Sequence, residues 1–187
     1  YYGSRSDGKL SEESCAGSGF LPEVCLEWEG ATSPLVNTGI RLVILRIGIV
    51  LSPYGGALAK MLTPFSMGLG GKIGSGSQYW SWIAIDDLVE VIHFVMFSEG
   101  LRGIVNAVAP EPITNVEFTK ILGSVLSRPA FLPLPAFVAK IVLGEMAEEL
   151  LLASTRVEPH QLQEAGFAFR YSHLEEALRC VLDREVK

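Results

Sequence analysis

From Leu42 to Leu51 the chain is apolar at every position except Arg46 and Gly48. A continuous run rich in Val and Ile, without polar alternation, predicts a parallel strand buried on both faces, over 41–47. A second short strand is expected over 103–108. Elsewhere the apolar spacing is helical. Residues 20–30 predict a helix that ends at a glycine, and 86–98 a stronger one, with Leu88, Val91, Ile92 and Val95 on one face and Asp86 as its N-cap. Thr114 opens a helix running to Leu126, with Glu117 at the capping-box position. A helix over 57–67 is expected to be interrupted at Pro64, and the glycine-rich stretch 68–76 to be a loop. Three more helices are predicted over 136–152, 159–165 and 173–183.

Two parallel strands do not complete a doubly wound sheet, in which crossover helices cover both faces and each strand has a neighbour. No G-x-G-x-x-G turn, the usual phosphate cradle between strand and helix, occurs in the chain. The expectation is an α/β fold whose sheet and phosphate loop begin upstream of Tyr1. The start Tyr1-Tyr2-Gly3, with no initiator Met and no signal-peptide pattern, agrees with it.

Composition narrows the function classes. With 187 residues, 49% hydrophobic and 19% charged, the chain is expected to be globular. No stretch approaches the roughly 18–20 apolar residues of a membrane span. A net charge of -6 without a basic cluster argues against nucleic acid and anionic membrane, leaving a small molecule or a protein as partner. Cys15, Cys25 and Cys180, like His93, His160 and His173, have no zinc-site spacing. Their scatter predicts no metal and a reducing, cytoplasmic location.

Several segments carry a resemblance. Tyr1-Tyr2-Gly3, residues 20–29 ending in Trp28-Glu29, Leu45-Arg-Ile-Gly-Ile-Val-Leu-Ser-Pro53, residues 70–76, Ser81-Trp-Ile-Ala-Ile-Asp-Asp87, Asn106, Arg128-Pro129 and residues 143–147 closely resemble the epimerase-family branch of atypical short-chain dehydrogenases. The resemblance implies the C-terminal part of a Rossmann-type extended short-chain dehydrogenase, over 1–127, followed by a small mainly helical domain of unknown function over 128–187. It implies NADP or NAD as cofactor, with the main binding loop upstream. Gly48, Ile49 and Val50, at a strand's C-terminal end, would lie beside the nicotinamide, with Cys25 and Arg46 as further cofactor contacts.

In that superfamily a Tyr-x-x-x-Lys pair moves the hydroxyl proton, the lysine lowering the tyrosine pKa. Here Leu21 or Phe20 stands at the tyrosine position and Cys25 or Val24 at the lysine position. Tyr2 is then the nearby phenol able to act as acid. The substrate pocket is assigned to Gln78, Trp80 and Trp82. Gln78 and Trp80 are expected to face the ligand, on the other face from Trp82 by alternation, while Trp82 either lines the pocket or fills the core beneath the helix that starts at Asp86. Trp80 replaces an arginine that pairs with pyrophosphate in nucleotide-sugar epimerases, so an apolar or aromatic substrate is favoured. Arg46, isolated in an apolar run, needs an anion: Asp86, Asp87, a cofactor phosphate or the substrate. Two other readings stay open, a catalytically silent NADP(H)-binding regulator acting through a protein partner, in cell division as some relatives are labelled, and a helical interaction module at 128–187.

Overall fold

The computed structural model describes residues 1–5, 8–36, 38–135 and 151–183. Strand β2 (Val43–Ile47) lies parallel to β6 (Gly103–Ala107), and β3 (Ile49–Leu51) parallel to β5 (Trp82–Ala84). Gly48 joins β2 to β3 and allows the chain to change partner. A Cβ at Gly48 would stand 2.7 Å from the Ser81 carbonyl oxygen and 2.8 Å from Val108, so only glycine fits there without displacement. Two small ribbons sit at the edge of this sheet: β1 (Lys9–Leu10) pairs in parallel with β8 (Arg156–Val157), and β4 (Tyr79–Trp80) antiparallel with β7 (Ile113–Thr114).

Six helices surround the strands among the described residues: α1 (Phe20–Gly30), α2 (Gly56–Ser66), α3 (Ile85–Phe97), α4 (Asn115–Leu126), α5 (His160–Glu164) and α6 (Leu174–Val181). Each falls within two residues of its sequence-predicted bounds, apart from the segment 136–150, which lies outside the described residues. The α4 start follows the expected chemistry: the Thr114 hydroxyl accepts from the Glu117 amide, and the Glu117 carboxylate accepts from the Thr114 amide. Two expectations are corrected. Helix α2 passes through Pro64 and ends two residues later at Ser66, forgoing the one bond that an N–H at position 64 would have made to the preceding turn. Helix α3 begins one residue early, with Ala84 at the N-cap position and no side-chain cap, so Asp86 lies inside the first turn.

The neighbouring Asp87 has another task. It is 1% exposed and accepts from the backbone N–H groups of Arg170 (2.9 Å) and Tyr171 (3.0 Å), tying the start of α3 to the approach to α6. Burial pushes its carboxyl above the usual range, and the two amides only partly offset that. One core joins Leu51, Leu58, Trp80, Trp82, Phe118 and Leu122 to Tyr171, Leu174 and Leu178, and a second packs α3 and Leu162 on β6.

Candidate functional site at the strand ends

Parallel α/β sheets bind ligands beyond the carboxyl ends of their strands, because chains diverge there and leave backbone uncovered. At that end of the β2–β6 pair the observed backbone is only partly covered. Ile47 is 49% exposed although it closes an apolar strand, and Gly48, Ile49 and Val50 are half-buried.

Arg46 and Asn106 are opposite one another in register, and a polar network joins them. The Tyr2 hydroxyl donates to Asn106 Oδ1 at 2.7 Å and accepts from Arg46 Nη1 at 3.0 Å. The Arg46 fork also donates to both carboxylate oxygens of Glu29, each at 2.8 Å. Glu29 lies on α1, so this bidentate pair fastens the helix to the strand end. Glu12 closes the other side, one of its oxygens accepting from the Asn106 and Gln161 amides while the second is buried without a partner among the described residues.

The electrostatics follow from this arrangement. Burial pushes the Tyr2 phenol above its ordinary value, opposed by the Arg46 guanidinium, and the nearby Glu12 charge pushes the same way as burial. The phenol is therefore protonated at neutral pH. Burial alone would lower the Arg46 pKa, but hydrogen bonds to Glu29 and Tyr2 carry it upward, so the guanidinium stays charged.

Placement of the sequence-assigned residues is uneven. Tyr2, Arg46, Gly48, Ile49 and Val50 gather at the strand ends. Arg46 is held by Glu29 rather than by Asp86 or Asp87, since Glu29 is the carboxylate that α1 brings to it. Cys25 is half-buried on α1, its Sγ 3.4 Å from the Tyr1 nitrogen. Gln78, Trp80 and Trp82 do not face open space. Trp80 is 2% exposed, packs edge-on against Phe118 and donates to the Leu151 carbonyl; Trp82 is 1% exposed and donates to the Glu111 carbonyl. The Gln78 amide donates to the carbonyls of Ile73 and Leu151. All three have the same parity along an extended segment, so alternation puts them on one face, and that face is the core. Tyr79, of opposite parity, is the half-buried aromatic of this stretch.

Asn106 and Glu12 were not singled out as site residues from the sequence. For Asn106 a signal existed: a lone polar side chain between Val105 and Ala107 in a buried strand must find partners. For Glu12, in an irregular segment, none did.

Comparison with known proteins sets this geometry in a family. The chain is 44% identical over 178 residues to the Epimerase family protein Mb2239 of Mycobacterium bovis, covering 95% of this chain and 59% of that protein. Over these residues it is similar to epimerase family proteins. The family description "Domain of unknown function (DUF1731)" matches residues 134–181. Human epimerase family protein SDR39U1 (isoform 2), solved with NADPH, superposes with a TM-score of 0.92 at 35% identity, over 98% of this chain and 62% of that one. UDP-glucose 4-epimerase of Thermus thermophilus, solved with NAD, superposes with a TM-score of 0.71 at 20% identity over 97% of this chain and 59% of that one, a likeness of fold alone. The chain thus spans about three fifths of the length of the curated relative and of each of these two structures. The fold is that of the Rossmann-like short-chain dehydrogenases.

Proposed function

We propose that this epimerase-family chain forms the nicotinamide and substrate side of an NAD(P)-binding, reductase- or epimerase-like protein acting on a small molecule. The observation that carries the reading is the half-covered turn Ile47–Val50, set at parallel strand ends beside the Tyr2–Arg46–Asn106 network. A flat, largely apolar ring fits against backbone that is left exposed in this way. The residues present fit the nicotinamide end of such a cofactor: Gly48, Ile49 and Val50 would lie against the ring, with Arg46 and Cys25 behind it. The cofactor supplies hydride transfer when bound. The chain's own residues orient the ring, exclude water from one side of it and hold a proton on the Tyr2 oxygen.

That proton is tightly held. Tyr2 already donates to Asn106 and sits in a desolvated environment, so it leaves only if the Asn106 bond is exchanged for a bond to the ligand. With leucine or phenylalanine, and cysteine or valine, at the positions of the usual acid-base pair, slow turnover of ordinary alcohols and sugar nucleotides is expected. General acid-base assistance of about 10²- to 10⁴-fold is what such a site forgoes. The same observation favours a second reading, a silent NADP(H)-binding regulator that acts through a protein partner.

NADPH titration and a broad carbonyl panel, run on the longest natural form of the protein and on Tyr2→Phe, separate the two. Slow turnover that Tyr2→Phe reduces further supports the enzyme reading. Binding without turnover supports the regulator. Turnover at an ordinary enzymatic rate that Tyr2→Phe leaves unchanged removes Tyr2 as the acid, and failure to bind NADPH removes both readings.

A further inference from the structure

Arg156 stands apart from the other cations near the strand ends, which have evident partners. Arg46 is held by Glu29, and Arg5 donates to the carbonyls of Tyr2, Cys15 and Ala16. Lys9 pairs with Glu158. The Arg156 guanidinium instead lies over the Tyr79 ring, 4.8 Å from its centre, and its Nε is buried with no acceptor among the described residues. The ring face meets the charge but gives the Nε hydrogen no lone pair, so that donor stays unmet among the described residues. Something with lone pairs is called for.

The position of the residue says where that something would sit. Arg156 is in β8, between Thr155, whose carbonyl accepts from the Ser81 hydroxyl, and Val157, whose amide donates to that same oxygen. Ser81 in turn accepts from the Ile49 amide through its carbonyl, at the turn just described. The Asn106 side chain donates to the Glu158 carbonyl. These bonds pin β8 alongside the carboxyl ends of β2 and β6. In the parallel pairing of β8 with β1, Arg156 is the register partner of Lys9, so two cationic stems rise on one side of the ribbon.

We propose that Arg156, with Tyr79 as its stacking floor and Lys9 beside it, recognises an oxyanion of the substrate, a carboxylate or a phosphate ester attached to an apolar or aromatic body. The proposal deepens the reading of these strand ends as a substrate site and rests on it. A planar guanidinium binds such an oxyanion through two parallel N–H groups, here Nε and one Nη, while the exposed part of the Tyr79 ring takes the adjoining apolar body.

Thermal stabilisation of the longest natural form of the protein, measured against inorganic phosphate, benzoate and the neutral analogue benzyl alcohol, tests it. Saturable stabilisation by benzoate or by phosphate is expected, and which of them acts distinguishes a carboxylate from a phosphate ligand; benzyl alcohol should give none. Arg156→Gln should weaken that binding by about tenfold or more, and Arg156→Lys by less, because charge persists without the fork. Arg156→Lys also keeps the test decisive if the glutamine variant folds poorly. NADPH affinity, followed in parallel, should change less than twofold in Arg156→Lys. Loss of NADPH binding by the parent protein, with arginine-dependent anion binding intact, would sink the cofactor reading and leave the anion position standing. Saturation by neither anion, or equal anion affinity in parent and both variants, overturns the proposal, as does a variant that loses NADPH and keeps the anion.

Discussion

Arg46 shows what one charged residue in an apolar strand demands. Its side chain is largely desolvated, as is that of Glu29, and both charges persist because the two-pronged contact satisfies them together. Removing one partner leaves the other buried alone, so Glu29→Ala should cost about 3–5 kcal/mol in urea unfolding. Replacing both, as Glu29→Leu with Arg46→Met, should cost much less, giving a large coupling in the double-mutant cycle. A cycle with additive single costs would mean that solvent, rather than the pair, carries these charges. The need for an anion was legible in the sequence; the identity of its partner was not. Seventeen residues and a change from helix to strand separate Glu29 from Arg46, and only packing brings them together. Tyr79 and Trp80 teach the converse, since parity was readable but the sign of the face was not: two tryptophans look like a pocket wall until Phe118 and the Leu151 carbonyl are found against one of them.

At the level of the element, the helices were the most legible part of the fold, because capping and apolar period act within a few residues. Helix α4 is the clearest instance. Its capping box was expected from Thr114 and Glu117 alone and is present in full, with the Thr114 hydroxyl donating to Glu117 Oε2 at 2.6 Å. These bonds hold the Glu117 carboxyl below its ordinary value of 4.5. A lowered folded-state pKa means stabilisation that is complete above the ordinary value and lost as pH falls through the folded one. Thr114→Ala should therefore cost about 1 kcal/mol at neutral pH. The deficit should narrow in acid, as the parent loses the carboxylate bonds too. Chemical denaturation of both proteins across that range checks it; a deficit that widens in acid would assign the cap another origin. At α3 the same local logic chose Asp86 and the tertiary structure chose Asp87, whose acceptors are used by Arg170 and Tyr171. A contact across more than eighty residues decided which of two adjacent carboxylates is buried.

For the whole molecule the governing fact is the sheet. Among the described residues β2 pairs with β6 on one side alone, Ile47 is half exposed, and α1 turns Phe20 and Trp28 to solvent. A strand with one free edge and apolar side chains uncovered presents a ready template for non-native pairing. The 187 residues by themselves should accordingly bind a hydrophobic dye, show weak near-ultraviolet dichroism beside normal far-ultraviolet dichroism, and associate as concentration rises. They should also bind NADPH more weakly than low-micromolar, because the turn Ile47–Val50 offers one face of a ring site and the chain contains no G-x-G-x-x-G turn to cradle the pyrophosphate. Calorimetric titration with NADPH and sedimentation of the same sample give the answer together. A monomer that melts cooperatively and binds NADPH at low-micromolar concentration would show that the strand ends hold the dinucleotide without a glycine-rich turn. The phosphates would then have to be met by cations already present in the chain.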